Sequence, residues 1–201
     1  MTHDAAPEIT GAVPKPHSWR MLGIVLGSAA AVWVGDLLSK EWVIATLAEG
    51  ESREVLGEAL QWHFVRNPGA AFSLAAGSTW IFTILAAVVV VFIATQLRRI
   101  RSPLWAAAFG GLLGGTLGNL TDRLTREPGF FVGHVVDFIQ VRGFPAIFNI
   151  ADIFIVSSMC LIVLLVLLNV GLDGVRHTDE PKPGPDAVPG PESDAPADPR
   201  T

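Results

Sequence analysis

The sequence predicts an all-α integral membrane protein: four transmembrane helices with a small extracytoplasmic β-sheet and loop region. Three observations predict it. Half of the 201 residues are hydrophobic, mean hydropathy is +0.46 and only 16% of residues are charged, which is apolar for a soluble domain. The apolar residues come in long blocks rather than amphipathic stripes, as in helices solvated by a bilayer. Between the blocks, Leu60, Trp62 and Phe64 alternate with Gln61, His63 and Val65, the period of a half-exposed strand.

Residues 1–19, Pro/Ala-rich and polar, read as a disordered N-terminal tail. The run from Met21 to Gly35 resembles the apolar core of a signal peptide. It ends in Asp36 and Lys40, lacks a small-x-small cleavage site and is followed by further spans, so it reads as the first transmembrane helix, roughly 20–40. Residues 45–74 are a polar interruption with turns expected at Gly57-Glu58 and Asn67-Pro68-Gly69 around a surface sheet at 51–66. The second span runs from Thr79 to Thr95 and is closed by Arg98, Arg99 and Arg101. The third, from about Leu104 to Leu120, carries Gly110, Gly114 and Gly118 at a spacing that clears one helix face for close approach. After Asn119 the chain is expected to leave the apolar region and to re-enter near Phe148, the fourth span ending around Leu172. The membrane domain is thus 20–172, and 173–201, rich in Pro and Asp, read as a second disordered tail.

Much of the net charge of −5 sits in that tail, and no basic patch suggests nucleic acid. The single cysteine, Cys160, excludes an intramolecular disulfide. Lys15, Arg20 and the 98–101 arginines fall on one side of a four-span chain, which the positive-inside rule makes cytoplasmic. Both termini then lie inside. Residues 42–74 and 121–147 lie at the outer face, although Lys40, Arg66, Arg123 and Arg126 oppose the rule.

Asp152 opens an apolar run, Ile153 to Leu172, that contains only uncharged residues up to its end. A carboxylate at bilayer depth costs roughly 2.5–3.5 kcal/mol on insertion scales, so it marks a functional site by default. Asp137 is the candidate partner, brought to it by a loop folding back over the fourth helix. Two adjacent carboxylates cannot both ionise cheaply, and one keeps a proton while the other accepts one, as in an aspartyl protease. Asp152 could equally complement a helix dipole, with Asn149 as N-cap or as a donor to substrate. Asn119, Asp122 and Arg123 share one helix face, fitted either to substrate or to lipid headgroups. Asp36 and Lys40 are spaced for a helical ion pair. Ser39 and Ser73 raise a Ser–Lys peptidase, but Ser39 and Lys40 point in different directions. His63, His134 and Asp137 lack metal-ligand spacing, so neither a metal nor a cofactor is expected.

Taken together these residues resemble the lipoprotein signal peptidases, the type II signal peptidases of bacteria. The resemblance runs from Asp36 to about Ile155 in five ordered blocks: Asp36-Leu37-Leu38-Ser39-Lys40; Asn67 to Ser73; Gly114 to Arg123; Val135-Val136-Asp137-Phe138-Ile139; and Phe148-Asn149-Ile150-Ala151-Asp152. It implies a membrane aspartyl endopeptidase with Asp137 and Asp152 as catalytic dyad, cutting just before the lipidated cysteine of diacylglyceryl-modified prolipoproteins. It further implies Asn67, Asn119, Arg123 and Asn149 as substrate-binding residues, Asp36, Lys40 and Asp122 in supporting roles, and inhibition by the cyclic peptide globomycin. The implied location is the bacterial cytoplasmic membrane, as a monomer among membrane lipids, with the active site at the outer face. Leu37 and Thr121 depart from the family's usual residues. The alternative is a small proton-coupled transporter using its carboxylates as a relay, which would place them near mid-bilayer on several helices.

Overall fold

The computed structural model describes residues 19–69 and 79–176, so the expectations for 1–18, for 177–201 and for Ala70 to Ser73 of the second block lie outside it. Four helices and four strands follow in the order α1 (Trp19–Thr46), β1 (Ser52–Glu54), β2 (Leu60–Asn67), α2 (Thr79–Gln96), α3 (Pro103–Thr125), β3 (Val135–Val141), β4 (Ile147–Phe148) and α4 (Ile150–Leu167). Among the described helices, α1, α2 and α4 are long and apolar enough to cross a membrane. α3 is long enough but less apolar, and its position explains why. It packs against α1, α2 and α4, so most of its surface meets protein rather than lipid.

The glycines of α3 make that packing possible. A Cβ on Gly110 or Gly114 would lie 2.8 Å from the Val25 carbonyl or 2.5 Å from that of Ala29, both on α1, and one on Gly115 would lie 2.6 Å from Ala151 O on α4. Backbones therefore touch where side chains would otherwise separate them. Val25, Ala29, Ile93, Trp105, Phe109, Leu113 and Leu165 form the apolar core beneath.

α3 runs on to Thr125 instead of leaving the bundle after Asn119. At its other end Pro103 occupies the first turn, where a missing N–H costs nothing. That end is tied to the end of α4: the Arg101 and Ser102 amides donate to Leu172 O (2.8 and 3.1 Å), and Trp105 Nε1 to Val170 O (3.2 Å). The last turn of α3 consequently lies beside the first turn of α4. Thr121, the departure noted above, donates to Leu117 O (2.7 Å) and accepts from Trp33 Nε1 (3.0 Å), a polar tie between α3 and α1.

The sheet is larger than the 51–66 segment expected from the sequence. It is antiparallel throughout, in the order β1-β2-β3-β4. The segment with Asp137, expected as a folded-back loop, is the interior strand β3, whose residues Val135 to Ile139 are buried on both faces. Val43, Leu47, Phe64, Val136, Phe138 and Ile139 form a second apolar cluster that seats the sheet on the end of α1.

Candidate active site

β2 and β3 align Val65 with Asp137 and Asn67 with Val135. Asn67 and Asp137 are thus diagonal neighbours on one face, and Asn67 Nδ2 donates to Asp137 Oδ2 at 2.7 Å. α4 begins with Asn149 as N-cap and Asp152 three residues on, forming a reciprocal capping box. Asn149 Oδ1 accepts from the Asp152 amide (3.0 Å) while Asp152 Oδ2 accepts from the Asn149 amide (3.1 Å).

The N-cap reading of Asn149 holds, and its Nδ2 is turned to acceptors within the protein. Its Nδ2 lies 2.7 Å from Asp137 Oδ1, 3.1 Å from Asn119 Oδ1 and 3.3 Å from Val136 O. Two protons cannot serve three acceptors at once, and Asp137 holds the shortest contact. One buried amide therefore joins the strand carrying Asp137 to the helix turn carrying Asp152.

Asn119 completes the ring, donating from Nδ2 to Asp152 Oδ1 at 2.8 Å. Its Oδ1 accepts from Lys40 Nζ at 3.0 Å. Lys40 is fully buried, and its other contacts are Asp36 Oδ2 at 2.6 Å and Asp122 Oδ2 at 2.8 Å. The remaining oxygens are also occupied. Asp36 Oδ1 accepts from the Ala151 amide (2.8 Å), Asp122 Oδ2 also accepts from the Val136 amide (3.2 Å), and Asp122 Oδ1 meets Arg126 Nε. Arg126 reaches on to Glu41 at 2.9 Å. Asp36, Lys40 and Asp122 thus fix the start of α4 and the strand with Asp137 to α1 and α3. A buried ammonium is tolerated because two carboxylates pair with it and an amide oxygen accepts from it.

Asp137 and Asp152 line one cavity of about 510 Å³, with Asn67 beside them and Phe144, Ile147, Phe148, Ile153 and Val156 as an apolar wall. Burial, and next the neighbouring Asp152, push the Asp137 carboxyl up to about 7, against the opposing effect of the Asn67 and Asn149 amides. At neutral pH this carboxyl holds a proton for part of the time. Arg123 lies elsewhere. It is 9% exposed, stacks over the Phe82 ring (5.3 Å to the centroid), and its Nη1 has no hydrogen-bond partner among the described residues.

The other sequence candidates resolve differently. Ser39 Oγ donates to Asp36 O (2.8 Å) and Lys40 is committed elsewhere, so the two do not form a nucleophile–base pair. Ser73 lies outside the described residues. His63 pairs with Ser52 Oγ, and among the described residues no three His, Cys, Asp or Glu side chains gather in a way that could hold a metal.

Fold and site together define a helical membrane protein whose polar residues converge on a pair of aspartates at one end of the bundle. The model of the signal peptidase (SPase) II family matches residues 28–168. The chain belongs to that family. It is 55% identical over 152 residues to a lipoprotein signal peptidase of Leifsonia xyli subsp. xyli, spanning 76% of this chain and 70% of the relative. To the lipoprotein signal peptidase of Rhodococcus jostii it is 44% identical over 163 residues, 81% of each. A solved structure of a bacterial membrane enzyme, determined by the in meso method at 2.3 Å resolution, superposes with a TM-score of 0.65 at 28% identity, over 74% of this chain and 90% of the other.

Proposed function

We propose that the protein is an aspartic endopeptidase of the bacterial cytoplasmic membrane that removes signal peptides from diacylglyceryl-modified prolipoproteins, cutting just before the lipidated cysteine. The observation that carries the aspartic mechanism is the placement of Asp137 and Asp152 on one cavity, joined by Asn149. Family membership supports peptide hydrolysis over the proton-coupled transporter.

The roles follow from the donors around each carboxylate. Asp152 accepts two N–H groups, from Asn119 Nδ2 and the Asn149 amide, which hold it in place at the cavity. It is the base, taking a proton from a water held between the aspartates. Asp137, raised to about 7, is the acid. The water oxygen attacks the scissile carbonyl carbon, and Asp137 donates its proton to the carbonyl oxygen as the tetrahedral intermediate forms. On collapse the C–N bond breaks, the amine of the lipidated cysteine leaves with a proton, and the dyad is reset. Asn67 and Asn149 hold Asp137 in place and with Asn119 face the peptide backbone, while Arg123 meets the substrate from beside the Phe82 ring. Asp36, Lys40 and Asp122 are positioning residues.

In this reading all four helices span the bilayer, α3 being sheltered by its three neighbours, and both termini are cytoplasmic. The sheet and dyad lie at the outer face, where a lipid-anchored substrate is concentrated and oriented. The monomer contains the complete site. The test is cleavage of a diacylglyceryl-cysteine prolipopeptide by purified protein, beside Asp137→Asn, Asp152→Asn and an unlipidated peptide. Cleavage that needs both aspartates and the lipid is expected. A folded wild type that cleaves nothing, or an active Asp137→Asn, ends the proposal.

A further inference from the structure

The substrate just proposed has a polar part besides its apolar signal segment and lipid. The mature polypeptide that follows the cysteine must leave the site on the water side, where the sheet lies in this reading. The sheet holds a cavity of its own, about 390 Å³, lined by Glu54, Glu58, Gln61, Gln140 and Arg142. Phe144, on the β3–β4 turn, lines both this cavity and the cavity of the aspartates. The two are therefore neighbours across one aromatic side chain. Strand register explains the polar wall. Glu54 stands opposite Gln61, and Gln61 opposite Gln140, which sets three polar side chains in one row across β1, β2 and β3.

We infer that this polar cavity receives the first residues of the mature polypeptide and that Glu54 selects a lysine or arginine side chain among them. This rests on the peptidase reading above, whose substrate supplies the occupant. Charge decides the side chain. Glu58 is paired with Arg142, Nη1 to Oε2 at 2.8 Å, while the Glu54 carboxylate has no ion pair among the described residues. Two carboxylates against one guanidinium leave the cavity negative, so it attracts a cation and repels an acid. Gln61 and Gln140 suit a peptide backbone, because each side-chain amide offers both a donor and an acceptor. Neither is engaged by another side chain among the described residues. Reach decides which residues arrive. An extended chain advances about 3.3–3.6 Å per residue, so a wall one ring thick is passed in about three residues. Counting the cysteine as the first, the cation belongs at about the third to fifth mature residue. On the other side of Phe144 the wall is apolar, with Ile147, Phe148, Ile153 and Val156. The polar and apolar parts of the substrate thus separate at Phe144.

The experiment steps a single lysine through the mature residues of a diacylglyceryl-cysteine prolipopeptide that is otherwise uncharged there, with glutamine and glutamate counterparts at each position. For the wild type, KM at the best position is expected to be about threefold lower for lysine than for glutamine, the worth of an exposed ion pair, and highest for glutamate. In Glu54→Gln the lysine-to-glutamine ratio falls to about one, whatever happens to the overall rate. In Glu54→Lys the order inverts and the glutamate peptide is preferred. Glu54 is exposed on the short edge strand β1, so both variants keep the fold. Glu51→Gln is the control for the general field of the sheet, since Glu51 lies outside the cavity and bonds to the Ala48 amide and Arg53. It should keep the threefold preference. A wild type without lysine preference at any position overturns the inference. So does a preference that survives Glu54→Gln, or one that Glu51→Gln abolishes equally. A wild type that cleaves none of these peptides refutes the peptidase reading itself, an outcome distinct from all of these.

Discussion

Lys40 Nζ lies 3.0 Å from Asn119 Oδ1, across 79 residues of sequence. An asparagine amide offers an acceptor on one side and donors on the other, and a buried ammonium can only donate. Lys40 thereby dictates which way Asn119 faces, turning Nδ2 toward Asp152 Oδ1. Lys40→Met should cost about 3–5 kcal/mol, because it leaves the buried Asp36 carboxylate without a cation and Asp122 with Arg126 alone, and thermal unfolding in detergent measures this. The triple variant Asp36→Asn, Lys40→Met, Asp122→Asn should recover much of that stability. Its kcat should stay at least about tenfold low, because Asn119 is no longer held. A triple variant with wild-type kcat would show that Lys40 serves stability alone.

The position of Asp137 predicts a basic limb in the rate profile. With its carboxyl raised to about 7 by burial and by Asp152, the acid loses its proton as pH rises through that value. The ratio kcat/KM should fall about tenfold per pH unit above the limb. Its midpoint should move when Asn67→Ala removes a donor that favours the charged form, and the direction is upward. A midpoint that stays put or moves down in Asn67→Ala would assign the limb to another group.

Stability should show the same carboxyl with the opposite preference. A carboxyl whose folded pKa exceeds its unfolded value of 3.8 binds more protons when folded, so its presence costs stability as pH rises between the two values. Asp137→Asn removes that cost. The variant should unfold at a higher temperature than wild type at pH 8, the advantage reaching at most on the order of 4 kcal/mol, and the two should converge toward pH 4. At the same time kcat should fall by at least about a thousandfold. An active, destabilised Asp137→Asn would contradict both halves.

Much of this was legible in the sequence, for reasons that also mark where legibility stopped. The long apolar runs announced α1, α2 and α4 because bilayer solvation acts on composition alone. The Asp36–Lys40 pair was visible because i,i+4 residues on a helix must be neighbours. The strand character of Val135 to Val141 went unread although the signal was there, a β-branched run between Gly133 and Gly143. The extension of α3 to Thr125 was hidden more deeply. Asp122 and Arg123 look like residues leaving a membrane, and what keeps Asp122 inside is Lys40 and Arg126, the first of them a contact between distant segments. That Arg123 Nη1 has no hydrogen-bond partner among the described residues likewise belongs to tertiary structure.

The glycines of α3 supply the last prediction, because a single methyl group tests how the site is held. At Gly115 a Cβ would stand 2.6 Å from Ala151 O and 2.9 Å from Ile155, both on α4. Backbone cannot yield as a flexible side chain can, so Gly115→Ala must push the first turn of α4 away from α3. That turn carries Asp152, whose Oδ1 accepts from Asn119 Nδ2 on α3 at 2.8 Å. Overpacking of this kind costs about 1–3 kcal/mol. The displacement acts on a hydrogen bond that fails within an ångström, so kcat should fall by more than about tenfold while the protein still folds. Gly23 is the control, a helical glycine of α1 whose Cβ would meet nothing within 4 Å. Gly23→Ala should gain about 0.5–1 kcal/mol from helix propensity and leave kcat unchanged. Unchanged kcat in both variants would mean that the bundle tolerates separation of α3 from α4, and that Asp152 is held by its own capping box rather than by its neighbours.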